Sequence, residues 1–136
     1  MQITTRTLAT QLLTALIAFT LACGYSSKAT TPAQPGTMPT IAELVPAGIN
    51  SGGPAFVMTV NGSNFSSTST INWNGVAQPS MHVSANQLTA TIPGSDIATP
   101  TTVSITVTNP GTAGTGAYGS GGTTAETSSP MTFTVQ

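Results

Sequence analysis

The stretch from Ala55 to Gly75, AFVMTVNGSNFSSTSTINWNG, constrains the fold more than any other part of the chain. Phe56, Met58 and Val60 alternate with Val57 and Thr59, the period of a strand that buries at least one face. Asn61-Gly62 reads as the break that ends this strand, with Phe65 placed to fold back onto it. Ile71 and Trp73 stand two apart and point to one side of the next strand. Asn74-Gly75 is a strong hairpin signal, because a type I′ turn needs positive φ at both central positions. Such a unit needs further strands to cover its apolar side.

The rest of the chain supplies them. Ile41 to Val45 reads as a strand closed by Pro46. Val76-Ala77 starts a return strand that Pro79 cuts short, and Met81-His82-Val83 is a short extended piece. Leu88, Ala90 and Ile92 alternate with threonines until Pro93-Gly94. Val103, Ile105 and Val107 alternate with Thr and Ser. Met131, Phe133 and Val135 close the pattern. Threonine at the outward positions suits a pleated surface. No helical period appears after residue 23. Short strands separated by turn signals predict two packed antiparallel sheets, with Trp73 at the centre of the core.

These elements resemble an IPT/TIG domain. The resemblance rests on several elements in order. The first are Pro39-Thr40-Ile41 and then Pro46 and Gly48. Next come Val60, Gly62 and Phe65, the short strand before Asn74-Gly75, Ile92-Pro93, Val107-Thr108-Asn109-Pro110, and finally Phe133-Thr134-Val135. It covers about Pro39 to Gln136. It implies an all-β fold, an immunoglobulin-like antiparallel β-sandwich, and no chemistry of its own. Such domains occur in bacterial surface proteins, beside some polysaccharide-acting enzymes, and in some animal receptors and transcription factors.

Charge separates these settings. Only 4% of residues are charged: Arg6, Lys28, Glu43, Asp96 and Glu126. Phosphate neutralisation needs several cations on one face, so no nucleic-acid partner is expected. Hydroxyl-rich, charge-poor composition fits an exported β protein.

The first residues agree with export. Arg6 precedes an apolar run from Leu8 to Ala22, too short to be read as a membrane span of ~20 apolar residues. The run ends in Phe19-Thr20-Leu21-Ala22-Cys23, which resembles the lipobox of bacterial lipoproteins, with Thr20 where Leu is more usual. The expected organisation is a lipoprotein signal peptide over 1–22, a flexible tether over 23–38 and the sandwich over 39–136. Cys23, the only cysteine, has no partner for an intramolecular disulfide and is the expected lipidation site. Burial of acyl CH₂ groups contributes about 0.8 kcal/mol each, so stable anchoring takes more than one chain. The tether, rich in Ser, Thr, Ala, Gly and Pro, would hold the domain on the order of 20 Å from the bilayer. Gly24 is not an acidic inner-membrane retention signal, and by analogy outer-membrane sorting is expected.

Catalytic and metal chemistry find little support. A Ser–His–acid arrangement would have to combine His82, the only histidine, with Asp96, or less favourably with Glu43 or Glu126, and no G-x-S-x-G elbow is present. Zinc needs several His or Cys, and calcium needs clustered oxygens; Glu43, Asp96 and Glu126 are dispersed. The glycine-rich 111–122 stretch lacks a P-loop lysine. No catalytic residue, metal or cofactor is assigned. The sequons at Asn61 and Asn64 read as turn chemistry.

One segment invites a binding role. Residues 111–130 form a long crossing, and Tyr118 stands alone there among small residues, a good contact composition. Tyr118 is the candidate ligand contact; a neutral insertion is the plainer reading. The expected function is a non-catalytic, lipid-anchored envelope module that contacts a protein or carbohydrate, by an edge strand or by this loop. The alternatives are an accessory module of an envelope polysaccharide-acting enzyme system and a fragment of a longer surface protein.

Overall fold

A computed structural model describes residues 32–115 and 121–136. Two antiparallel-dominated sheets pack face to face. The first holds β1 (Thr40–Val45), β3 (Phe56–Ser63), β7 (Gln87–Ile92) and β6 (Ser80–Ser84), in the order β1-β3-β7-β6. The second runs β2 (Gly48–Ile49), β10 (Met131–Val135), β8 (Thr101–Asn109), β4 (Thr70–Trp73) and β5 (Val76–Ala77), with β9 (Glu126–Thr127) also on β8. Among the described residues the helical content is one 3₁₀ turn, Gly94–Ile97. These are the two packed sheets expected from the strand pattern, in the immunoglobulin-like form that the resemblance implies.

The inward positions are those the alternation marks. Met58, Val60, Ile71, Leu88, Ile92, Ile105, Val107 and Phe133 are fully buried. Three aromatics join the sheets. Phe133 lies 5.2 Å from Trp73 in a tilted pair and 5.8 Å from Phe56 in a stacked one. Each such pair adds about 0.5–1.5 kcal/mol beyond its buried area. Phe133, rather than Trp73 alone, is therefore the centre.

One boundary departs from the sequence reading. Asn61-Gly62 does not end β3, which continues to Ser63. Asn61 pairs across to Gln87 and Gly62 to Ile41. The chain turns two residues later, at Asn64, whose φ is 62°. The ladder on both sides overrides the local turn preference. Gly62 serves a different purpose: a Cβ there would lie 1.9 Å from the Thr40 carbonyl oxygen and 2.7 Å from Phe65 Cζ. Its hydrogen lets β1 and the Phe65 ring close over the strand.

The hairpin at Asn74-Gly75 agrees with expectation. Both residues have positive φ, 48° and 84°, and Trp73 faces Val76 across the turn. Gly75→Ala places a Cβ in open space but in the left-handed region. We expect a loss of about 1 kcal/mol, read as a lowered urea midpoint with unchanged slope.

After Pro46 the chain crosses between sheets, and β2 pairs in parallel with β10. Gly48 permits this, since a Cβ there would stand 2.8 Å from the Thr134 carbonyl oxygen.

Candidate functional site

The period-two pattern of β8 runs one step past its apolar residues. Val103, Ile105 and Val107 face inward, so Asn109 does too, and it is buried. A buried amide must find partners for both donors and its acceptor. Asn109 Nδ2 donates to the carbonyls of Thr37 and Asn64, both at 2.7 Å. Its Oδ1 accepts from the Ser69 hydroxyl and, at 3.3 Å, from the Ser66 amide. One side chain thereby joins the segment before β1, the β3–β4 turn and the end of β8. Sequence reading took Asn109-Pro110 only as a strand ending. The available signal was a polar residue at the next inward position.

The same end of the sandwich holds the N-terminal segment. The Gln34 amide donates to the Gly122 carbonyl, and the Thr124 amide donates to the Gln34 carbonyl, each at 2.9 Å. Asn64 Nδ2 donates to the Met38 carbonyl at 3.2 Å. Gly36 lies flush, since a Cβ there would meet the Thr124 carbonyl at 2.5 Å. Residues 34–38, read from sequence as the last part of the tether, are therefore fixed to the domain. The crossing after β8 also has paired ends. The Thr112 and Thr123 backbones exchange hydrogen bonds at 3.1 Å, and β9 pairs with β8. Backbone pairing of this kind leaves no side-chain signature.

Cys23 and Tyr118, the expected lipidation and contact residues, lie outside the described residues. His82 and Asp96 are not brought together. His82 sits on β6 opposite Leu88, whereas Asp96 follows the far end of β7 in the 3₁₀ turn. Four residues of strand, about 13 Å, separate those levels. The three carboxylates have separate local partners. Glu43 accepts from Asn61 Nδ2 at 3.2 Å, Asp96 from the Ser95 hydroxyl at 3.3 Å, and Glu126 from the Thr124 hydroxyl at 3.0 Å. Among the described residues no three His, Cys, Asp or Glu side chains converge as a metal site.

What the surface offers instead is contact area. β6 is an edge strand of the first sheet. Met81 and Val83 on it are 68% and 53% exposed, and Val57 on the same sheet is 58% exposed. Val57, Pro79, Met81, Thr89 and Thr91 line a shallow depression of about 320 Å³. A second groove, at the far end, is lined by Trp73, Asn74, Val76, Asp96 and Thr101. Neither brings a nucleophile and a base together. The first offers shape, methyl groups and neutral hydrogen bonds, and the second adds the Asp96 carboxylate.

The strand order, the parallel β2–β10 pairing and this end-loop arrangement define an immunoglobulin-like module. The family model of the IPT/TIG domain matches residues 39–135, and the chain belongs to that family. No curated protein and no solved structure gave a match. The motif positions acquire physical meaning here. Gly48 and Gly62 are close-approach sites, and Asn109 is the hydrogen-bond centre of the loop end.

Proposed function

We propose that this chain is a lipid-anchored module of the bacterial cell envelope that binds a protein or glycan and catalyses nothing itself. The interaction half of this reading is carried by β6. An edge strand leaves backbone groups available to a partner strand. Here that edge carries exposed Met81 and Val83 and no charge. The anchoring half is supported by the apolar run ending at Cys23.

The test is fractionation of a diderm host expressing the full chain and a Cys23→Ser variant, with protease applied to intact cells. The expected result is a membrane-bound native chain and a soluble variant. Shaving of the native chain from intact cells would place the module outside, and protection would make its partner periplasmic. A variant that fractionates like the native chain would overturn lipidation.

The binding half has its own check. Met81→Lys with Val83→Lys places charge on the edge while leaving the core untouched. We expect each change to alter folding stability by no more than about 0.5 kcal/mol. Adducts formed by in-cell cross-linking of the native chain should disappear. Persistence of the same adducts would remove β6 as the contact.

A further inference from the structure

We propose that the module stands on the membrane by one defined end. That end comprises the β3–β4 turn, the Ala85-Asn86 turn and the base of the long β8–β9 crossing. This rests on the anchored reading above and adds to it the partner of that end, the bilayer headgroup surface.

The argument starts from where the chain first becomes fixed. Gln34 is paired on both sides, to Gly122 and Thr124, and Thr37 and Met38 are held by Asn109 and Asn64. Ten residues, 24–33, lie between Cys23 and that first pairing. A coil of that length has an average reach of about 17 Å and a fully extended limit of about 35 Å. The nine residues of β8 make the sandwich about 30 Å long. To bring the opposite end to the bilayer, the span would have to run back along nearly that whole length. It would then be close to full extension, at a large loss of chain entropy. With the near end down, ten residues bridge the distance well short of their limit.

The chemistry of the near end fits close approach. Apart from buried Phe65, its described residues are Ser, Thr, Asn, Gln, Ala, Gly and Pro, with Met38 exposed and Glu126 as the charged side chain. A hydroxyl-rich surface with one carboxylate, Glu126, hydrogen-bonded to the Thr124 hydroxyl, meets anionic headgroups with limited repulsion. The opposite end, with the Asn74-Gly75 turn, the 3₁₀ turn and the groove at Trp73 and Asp96, then points away. A partner reaching the module from solution meets that end and the β6 edge first.

The test uses the full chain in native membrane vesicles, with one added cysteine per variant carrying a fluorophore. Ser67→Cys and Ala85→Cys mark the near end, and Ala98→Cys marks the far end; all three positions are exposed. Lipids bearing nitroxide headgroups serve as quencher. The expected result is loss of most emission at 67 and 85, with emission retained at 98. Gln34→Pro removes the amide that donates to Gly122, and it should narrow the difference by moving the first pairing further from Cys23. Equal quenching at both ends of an anchored chain, or stronger quenching at 98, would overturn the orientation alone. Absence of quenching at all three positions, with the native chain recovered as soluble protein, would overturn the anchored reading as well.

Discussion

Gly62→Ala is expected to destabilise the domain by about 3 kcal/mol, near the upper end for adding one carbon to a packed site. The reason is distance. The new Cβ would sit 1.9 Å from the Thr40 carbonyl oxygen and 2.7 Å from the Phe65 ring. Neither neighbour can yield cheaply. Thr40 opens β1, paired through its neighbour Ile41 to Gly62 itself. Phe65 is buried and caps the core. The strand must separate, the ring must leave, or both. For a domain of this size the shift corresponds to roughly 12–24 °C in Tm. Gly75→Ala is the control, because that site needs backbone freedom and has space. Equal losses in the two variants, measured by urea unfolding, would mean that β1 tolerates displacement and that the close approach contributes nothing.

Asn109→Leu is the second large effect, again about 3 kcal/mol. Leucine fills a similar volume but removes both donors and the acceptor. The carbonyls of Thr37 and Asn64 and the Ser69 hydroxyl lose their partner together. Each buried group left unmatched costs about 1–3 kcal/mol, and partial access to water lowers the sum. Asn109→Asp gives a sharper diagnosis. It keeps an acceptor for Ser69 and Ser66 but turns an oxygen towards two carbonyls at donor distance. The ionised carboxyl is then disfavoured in the folded state, so its folded pKa rises above the unfolded value of about 3.9. A raised carboxyl pKa means that the folded state holds the proton longer. Stability is therefore highest below the unfolded value and falls as pH rises through the folded one. We expect the D variant to be more stable at pH 4 than at pH 7 relative to native protein. A pH-independent difference would place Asn109 outside the buried network.

Those two residues also mark what can be read without coordinates. The alternation of Phe56, Met58 and Val60, and of Val103, Ile105 and Val107, announces strands and their inward face directly. Asn74-Gly75 announces its turn because few residues accept its φ values. Asn61-Gly62 uses the same letters for another end. There the cross-strand ladder prevails, and the close approach of Thr40 and Phe65 explains the glycine. Asn109 was legible in principle, as the polar member of an inward series. The docking of Gln34 was not, since it uses backbone atoms that every residue shares. The candidate contact surface follows the same division. Exposed Met81 and Val83 could be placed on a short strand, but their position at a sheet edge required the strand order.

The parallel pairing of β2 with β10 has a mechanical consequence. Gln34 lies at one end of the sandwich and Gln136 at the other, where the Gln136 amide donates to the Ile49 carbonyl at 2.8 Å. Tension applied between those two points pulls β2 and β10 past each other along their lengths. Their hydrogen bonds then bear the load together, as rungs in shear, rather than opening one after another like a zip. On the anchored reading proposed above, a module held near Gln34 and gripped at its other end is braced along that line.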